Sequence, residues 1–221
     1  MRIEWLNKTG TDQVILFFNG WGMDAAAVSH LKKESDLLML NDYRECQGIG
    51  FPGLQEYRDI VVVAWSMGVW AAGQVLSQLP FKPSVCVALN GTGYPVDDHY
   101  GIPAKIYELT EKGMNHKGRE KFFQRMLTGE EEWIRFATNR PSRELSEQCE
   151  ELGCIRRESV GSSGSANLFC WDKAYISEKD IIFPVKHQWK YWKEKGVKII
   201  SLEGGHYPFY HFRSWQEIIE G

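Results

Sequence analysis

The sequence predicts an α/β fold, with a mostly parallel central sheet, helices on both faces and a helical lid inserted before the last strands. Three observations predict it. Short runs that are apolar at nearly every position, rather than at alternate ones, suit strands covered on both faces. Segments with helical spacing fall between those runs, so successive strands are joined by crossover helices and lie parallel. One stretch, 104–165, breaks the rhythm with charged, helix-favouring residues and no convincing strand.

The elements follow in order. Residues 2–6 form a leading strand that adds an antiparallel edge. The first apolar run, 14–18, stops at Asn19-Gly20. Asp24 is placed to N-cap a helix over 25–33, with His30, Lys32 and Lys33 toward its electronegative C-terminal end. Run 37–40 stops at Asn41-Asp42, and run 60–65, the most apolar, stops at Ser66. A helix over 67–79 places Val69, Ala72, Val75, Leu76 and Leu79 on one stripe. Run 85–89 stops at Asn90-Gly91. Within the lid, 119–127, 130–137 and 143–152 favour helix, and 160–165 reads as a flexible Gly/Ser connector. Strand character resumes at 168–171 and again from Ala174, turning before Asp180. A helix over 185–195 ends at Gly196 as its C′ residue, and run 197–202 is the last strand, stopping near Gly204-Gly205.

Composition bounds the function. A chain of 221 residues has room for one such domain spanning 1–221, and 43% apolar with 13% aromatic residues supports a packed interior. With 29 acids against 26 bases the net charge is −3, which excludes a globally basic nucleic-acid binder. No run approaches the roughly 18 apolar residues of a membrane span, and residues 1–7 carry no hydrophobic leader. Five cysteines, an odd number without a CxxC pair, read as free thiols of a reducing cytoplasm rather than disulfides or a zinc site. No cofactor or metal is called for. Nine tryptophans are the unusual feature, since Trp often lines pockets or interfaces.

The strongest local signal is Ala64-Trp65-Ser66-Met67-Gly68, directly after the most apolar strand and directly before a helix. A sharp strand-to-helix turn with small residues on both sides strains a serine and exposes its hydroxyl above the sheet. Serine needs a base, and the base needs an acid to orient it, in the chain order Ser, acid, His. His206 follows the last strand behind two glycines and is the base; His211 is its only serious rival. Asp180, at the end of the penultimate strand, comes first as the acid, and Asp97 or Asp98 is the alternative. An oxyanion hole needs two backbone N–H donors. Met67, after the nucleophile, and Trp21, in the loop Asn19-Gly20-Trp21-Gly22-Met23-Asp24, are placed to supply them.

Together these residues resemble the α/β-hydrolase superfamily over nearly the whole chain outside the lid. Phe17 to Asp24, Ala64 to Trp70, Ala88 to Thr92 and Pro95 to Pro103 are more narrowly similar to the BioG-type pimeloyl-ACP methyl ester esterases. That resemblance implies hydrolysis of the methyl ester of pimeloyl-acyl carrier protein in biotin biosynthesis. It implies Ser66 as nucleophile, His206 as base and then acid, and an aspartate as the third member. Beside the triad, Trp21 is placed to wall the acyl site, and Trp65 and Phe209 are further candidate substrate-binding residues. The partner is then an acidic carrier protein. Positive residues of the otherwise charge-balanced lid are its candidate contacts: Lys117, Arg119, Lys121, Arg125, Arg140, Arg143, Arg156 and Arg157. A monomer is favoured. The rival readings are a general carboxylesterase or thioesterase on the same scaffold, and a non-catalytic receptor that binds a small ligand in the same pocket.

Overall fold

Strands whose residues are apolar on both faces must lie at the centre of the molecule, and they do. In a computed structural model, which describes residues 1–46, 50–51, 53–76, 82–161 and 170–221, the strands are β1 (Arg2–Asn7), β2 (Gln13–Phe18), β3 (Asp36–Asn41), β4 (Asp59–Trp65), β5 (Val85–Leu89), β6 (Lys173–Ser177) and β7 (Lys198–Leu202). They form one sheet in the order β1-β3-β2-β4-β5-β6-β7. β1 runs antiparallel to β3, and every other pair is parallel. The all-apolar runs of β2, β3 and β4 are buried almost throughout, whereas edge strands β1 and β7 are partly exposed. Each fully buried Val, Leu, Ile or Phe contributes about 1.5–3 kcal/mol, so the three central strands anchor the sheet.

Register aligns the strand ends that carry chemistry. Ala64 of β4 lies opposite Phe18 of β2 and Ala88 of β5, and Trp65 lies opposite Leu89. The carboxyl ends of β2, β4 and β5 therefore open on one edge of the sheet, the usual crevice for ligands in parallel α/β sheets. At the opposite end, Asp36 begins β3 with its carboxylate accepting from the amides of Thr9 and Gly10 and from the Tyr57 hydroxyl at 2.7 Å. This ties the β1–β2 turn to the sheet.

The helices are α1 (Met67–Leu76), α2 (Ala104–Lys112), α3 (His116–Arg125), α4 (Glu130–Phe136), α5 (Leu145–Gly161), α6 (Val185–Glu194) and α7 (Trp215–Glu220). α1 crosses close to β2 at Gly68, where an added Cβ would sit 2.2 Å from the Phe18 carbonyl oxygen. Asn115 caps α3 by accepting from the Gly118 amide, and Ser214 caps α7 by accepting from Glu217. α2 to α5 fill the interval between β5 and β6 in the chain. Their apolar face joins the main core through ring contacts from Phe123 to Phe136 and from Phe136 to Tyr207, with centroids 5.8 and 5.3 Å apart.

Several expectations change. Residues 25–33 do not make an α-helix: Asp24 caps only a 3-10 turn, Ala25–Val28. The chain is drawn away after it, because Lys32 donates its amide to the Arg213 carbonyl at 3.0 Å. The helix predicted at 67–79 is α1, described to Leu76; its last three predicted residues lie outside the described residues. Within 104–165, α2 is an additional helix, α3 begins three residues earlier than expected, and α5 reaches Gly161. The Gly/Ser connector of 160–165 thus begins inside a helix, and its remaining residues lie outside the described ones. Of the strand predicted at 168–171, Cys170 and Trp171 are irregular and precede β6, while the other two residues are not described. Helix α7 went unpredicted because six residues hold too little periodicity to separate it from a loop.

Candidate active site

The serine is placed by backbone strain. Ser66 joins β4 to α1 with φ +58, in the left-handed region where non-glycine residues are uncommon. Its amide donates to the Leu89 carbonyl at 2.9 Å, and its own carbonyl accepts from Val69 at 3.1 Å, so both sides of the turn are tied. Gly91 makes room beside it: a Cβ there would lie 2.3 Å from the Ser66 carbonyl oxygen.

Three side chains from three different loops meet in the interior. The Ser66 Oγ lies 2.8 Å from His206 Nε2, and His206 Nδ1 lies 2.8 Å from Asp180 Oδ2. All three residues are buried. Asp180 is oriented by its own loop: Oδ1 accepts from the amides of Ile182 and Phe183 at 2.9 Å each, an Asx-type turn after β6. Oδ2 also accepts from Gln188 Nε2 of α6 at 3.0 Å. An acceptor-only carboxylate opposite Nδ1 places the imidazole proton there, which leaves Nε2 free to accept from the serine hydroxyl. The histidine loop is held from below, since the His206 carbonyl accepts from Trp65 Nε1 at 2.9 Å and Asn90 Nδ2 at 3.0 Å. Asn90, itself at φ +44, ties that loop to β6 by accepting the Ser177 amide at 2.8 Å.

The loop after β2 is a tight turn over residues 20–23, closed by the Met23 amide on the Gly20 carbonyl at 3.3 Å, with Gly22 at φ +72 as a type II turn requires. The Gly20 amide donates to Asn19 Oδ1 and the Gly22 amide to Glu151 Oε2. Among the described residues, the Trp21 amide of this turn and the Met67 amide at the start of α1 meet no protein acceptor. Both residues line one pocket with Ser66 and His206, and apolar Ile102, Ile106, Tyr107, Phe122, Met126, Leu152 and Ile182 join its wall. The pocket can therefore take an apolar acyl chain, present its carbonyl to a serine and offer two N–H donors to an oxyanion. Among the described residues no group of three His, Cys, Asp or Glu side chains could hold a metal ion.

A family model described as pimeloyl-ACP methyl esterase BioG matches residues 1–218. The chain belongs to the BioG family. A solved BioG structure from Haemophilus influenzae superposes with a TM-score of 0.90 at 33% identity, each chain fully covered. A curated Bacteroides fragilis protein named malonyl-[acyl-carrier protein] O-methyltransferase is 42% identical over 200 residues, which is 88% of this chain but 39% of that protein. The chain thus spans about two fifths of the length of that relative. A lipase-esterase related protein from Clostridium acetobutylicum, at 12% identity, 93% and 92% coverage and a TM-score of 0.65, shares the α/β-hydrolase fold.

The remaining candidates separate clearly. Asp97 and Asp98 do not meet His206. Asp97 caps its own turn by accepting from the His99 and Tyr100 amides, and Asp98 accepts from the Ala104 amide at the start of α2. His211 likewise lies in a separate 3-10 turn, Phe209–His211. Trp65 lines the pocket, but Phe209 does not: it is fully buried behind the Trp65 ring, 5.1 Å away. Arg143 is no surface contact, being buried against Glu151 and Asp42. Arg119 is half-buried and turns inward to the Arg143 carbonyl and Gln148. Arg140 pairs with Glu120, and Arg156 pairs with Glu111 at 2.7 Å. Lys117, Lys121, Arg125 and Arg157 are exposed. Gln188, Asn90 and Glu151 were missed as site-supporting residues. Only Asn90 had a signal, as the residue just past an apolar strand.

Proposed function

We propose that this chain is a serine esterase that hydrolyses the methyl ester of pimeloyl-acyl carrier protein, releasing methanol and the carrier-bound free acid for biotin synthesis in the cytoplasm. The observation that carries this reading is the chain of hydrogen bonds from Ser66 through His206 to Asp180, opening into an apolar pocket beside the Trp21 and Met67 amides, which meet no protein acceptor among the described residues. Ser66 Oγ attacks the ester carbonyl as its proton passes to His206 Nε2, and the Trp21 and Met67 amides receive the oxyanion. Collapse expels methoxide, which takes that proton and leaves as methanol. Water, deprotonated by His206, then attacks the acyl-serine, and Ser66 regains its proton as the free acid departs.

The pocket supports the long apolar acyl chain, and its surroundings support the carrier. Ile106, Thr110, Phe122 and Arg125 line both this pocket and a second, more open groove between α2 and α3, which adds Leu109 and Lys121. That route leads from the serine to exposed positive charge, the direction in which the arm of an acidic carrier would leave. The methyltransferase named in the Bacteroides relative esterifies a carrier-bound acid, and an esterase site in a similar chain fits removal of such a group.

The Ser66→Ala variant is expected to lose about 10⁶-fold in kcat on methyl pimeloyl-ACP. Product mass after incubation with methyl pimeloyl-ACP and with pimeloyl-ACP separates methyl ester hydrolysis from thioester cleavage. Loss of only the thioester would reassign the chain as a thioesterase. Failure to restore growth without biotin to an auxotroph lacking its esterase, despite good expression, would favour a general carboxylesterase.

A further inference from the structure

The lid is hydrogen-bonded to the oxyanion loop through a buried acid that the mechanism does not use. Glu151, on α5, is completely buried, and its carboxylate accepts three N–H donors. Oε1 takes the Tyr43 amide at 2.9 Å; Oε2 takes the Gly22 amide at 3.3 Å and Arg143 Nη1 at 2.7 Å. Burial pushes this carboxyl upward, and the Arg143 guanidinium works against that shift. Three residues earlier on the same helix face, Gln148 Nε2 donates to the Gly22 carbonyl at 2.8 Å, and the Gln148 backbone carbonyl accepts from Trp21 Nε1 at 2.9 Å.

These bonds act on the turn that carries the Trp21 amide. A type II turn differs from type I by a flip of its central peptide, here the one between Trp21 and Gly22. Glu151 takes the N–H of that peptide, Gln148 takes the carbonyl of the next one, and the indole is anchored to the same helix. A flip would turn the Trp21 carbonyl toward the Glu151 carboxylate, oxygen against oxygen. We propose that Glu151, held by Arg143 and assisted by Gln148, is a positioning residue that fixes the 20–23 turn and, through the adjoining peptide, the place of the Trp21 N–H beside the pocket. The lid is then part of the oxyanion hole's support as well as a cover.

This rests on the serine-esterase reading, so the test separates the two. Wild type, S66A, E151Q and Q148M are compared on p-nitrophenyl butyrate, with thermal unfolding measured on each. Inhibition by a trifluoromethyl ketone, which forms an oxyanionic adduct with an active serine, is measured alongside. Glutamine at 151 offers one acceptor oxygen where two are used, so its NH₂ group faces a donor whichever way it turns. E151Q is expected to lose about 10- to 100-fold in kcat with KM within about twofold, and to bind the ketone more weakly by the same factor. Q148M, which leaves the ion pair in place, is expected to lose about threefold to tenfold in the same pattern. A folded E151Q with wild-type kcat and ketone affinity overturns the proposal, as does one that merely melts earlier. If E151Q does not fold, wild-type kcat in Q148M overturns it. Full activity in S66A, or none in wild type, overturns the esterase reading and this proposal with it.

Discussion

Individual side chains are held here by bonds that leave little alternative. Asp180 satisfies two amides of its own turn, Gln188 and His206 at once, so its carboxylate has one orientation. Replacing it with Asn keeps the shape but turns an NH₂ toward one of those donors and favours the other imidazole tautomer. Asp180→Asn is expected to lower kcat about 10⁴-fold with little change in KM, measured by steady-state hydrolysis of a p-nitrophenyl ester. Asp97→Asn and Asp98→Asn, assayed beside it, are expected to stay within about threefold of wild type, because their carboxylates only cap local turns. Arg143 belongs to stability rather than docking. Removing it strands the buried Glu151 charge, so Arg143→Met is expected to cost about 3–5 kcal/mol in urea unfolding.

Among the elements, the contact of α1 with the sheet depends on one missing methyl group. Gly68 lets the helix approach β2 to a distance at which any Cβ would overlap the Phe18 and Asn19 carbonyls. Gly68→Ala must therefore push α1 away from the sheet and carry Ser66 with it. A loss of about 1–3 kcal/mol or more in unfolding free energy, together with a fall in kcat, is expected. The start of β3 gives a pH prediction. Burial alone would raise the Asp36 pKa, but the Tyr57 hydroxyl and the Thr9 and Gly10 amides outweigh it and hold the carboxyl below its ordinary value. A carboxylate depressed in the folded state adds stability above its unfolded pKa and loses it as pH falls through the folded one. Asp36→Asn is expected to be less stable than wild type at pH 7, and the gap should close as the pH falls below about 4 in urea titrations.

The molecule as a whole joins a sheet-borne site to helices α2 to α5 by many ties, two of which reach the loops of the candidate site. α5 bonds to the 20–23 turn, and the Met126 carbonyl after α3 accepts the Tyr207 amide next to His206 at 3.0 Å. These helices and the candidate-site loops are thus parts of one core. Of the eight positive residues expected to meet a carrier protein, four are paired or turned inward, and the exposed Lys117, Lys121 and Arg125 share α3 beside the groove from the pocket. A double charge reversal, Lys117→Glu with Lys121→Glu, is expected to raise KM for methyl pimeloyl-ACP about tenfold at low salt. The effect on a short free ester should be much smaller, and added salt should narrow the difference.

The parallel sheet, its order of strands and helices, and the Ser66, His206 and Trp21 positions were legible in the sequence because each rests on local pattern. A strand buried on both faces must be apolar throughout, and a strained turn must be flanked by small residues. The choice of Asp180 over Asp97 and Asp98 was not settled by pattern, since all three follow strands and all three can cap a turn. Only packing distinguishes the one whose second oxygen meets His206. The same holds for Arg143 and Arg119, which read as surface charge until α5 folds onto the oxyanion turn and buries them. Likewise Asn90, Gln188 and Glu151 act on residues 8 to 129 positions away in the chain. Periodicity and turn chemistry act over a few neighbours, so they set elements and the strained serine between two of them. The partners of a buried polar group are chosen by whichever distant donors the completed core brings within 3 Å.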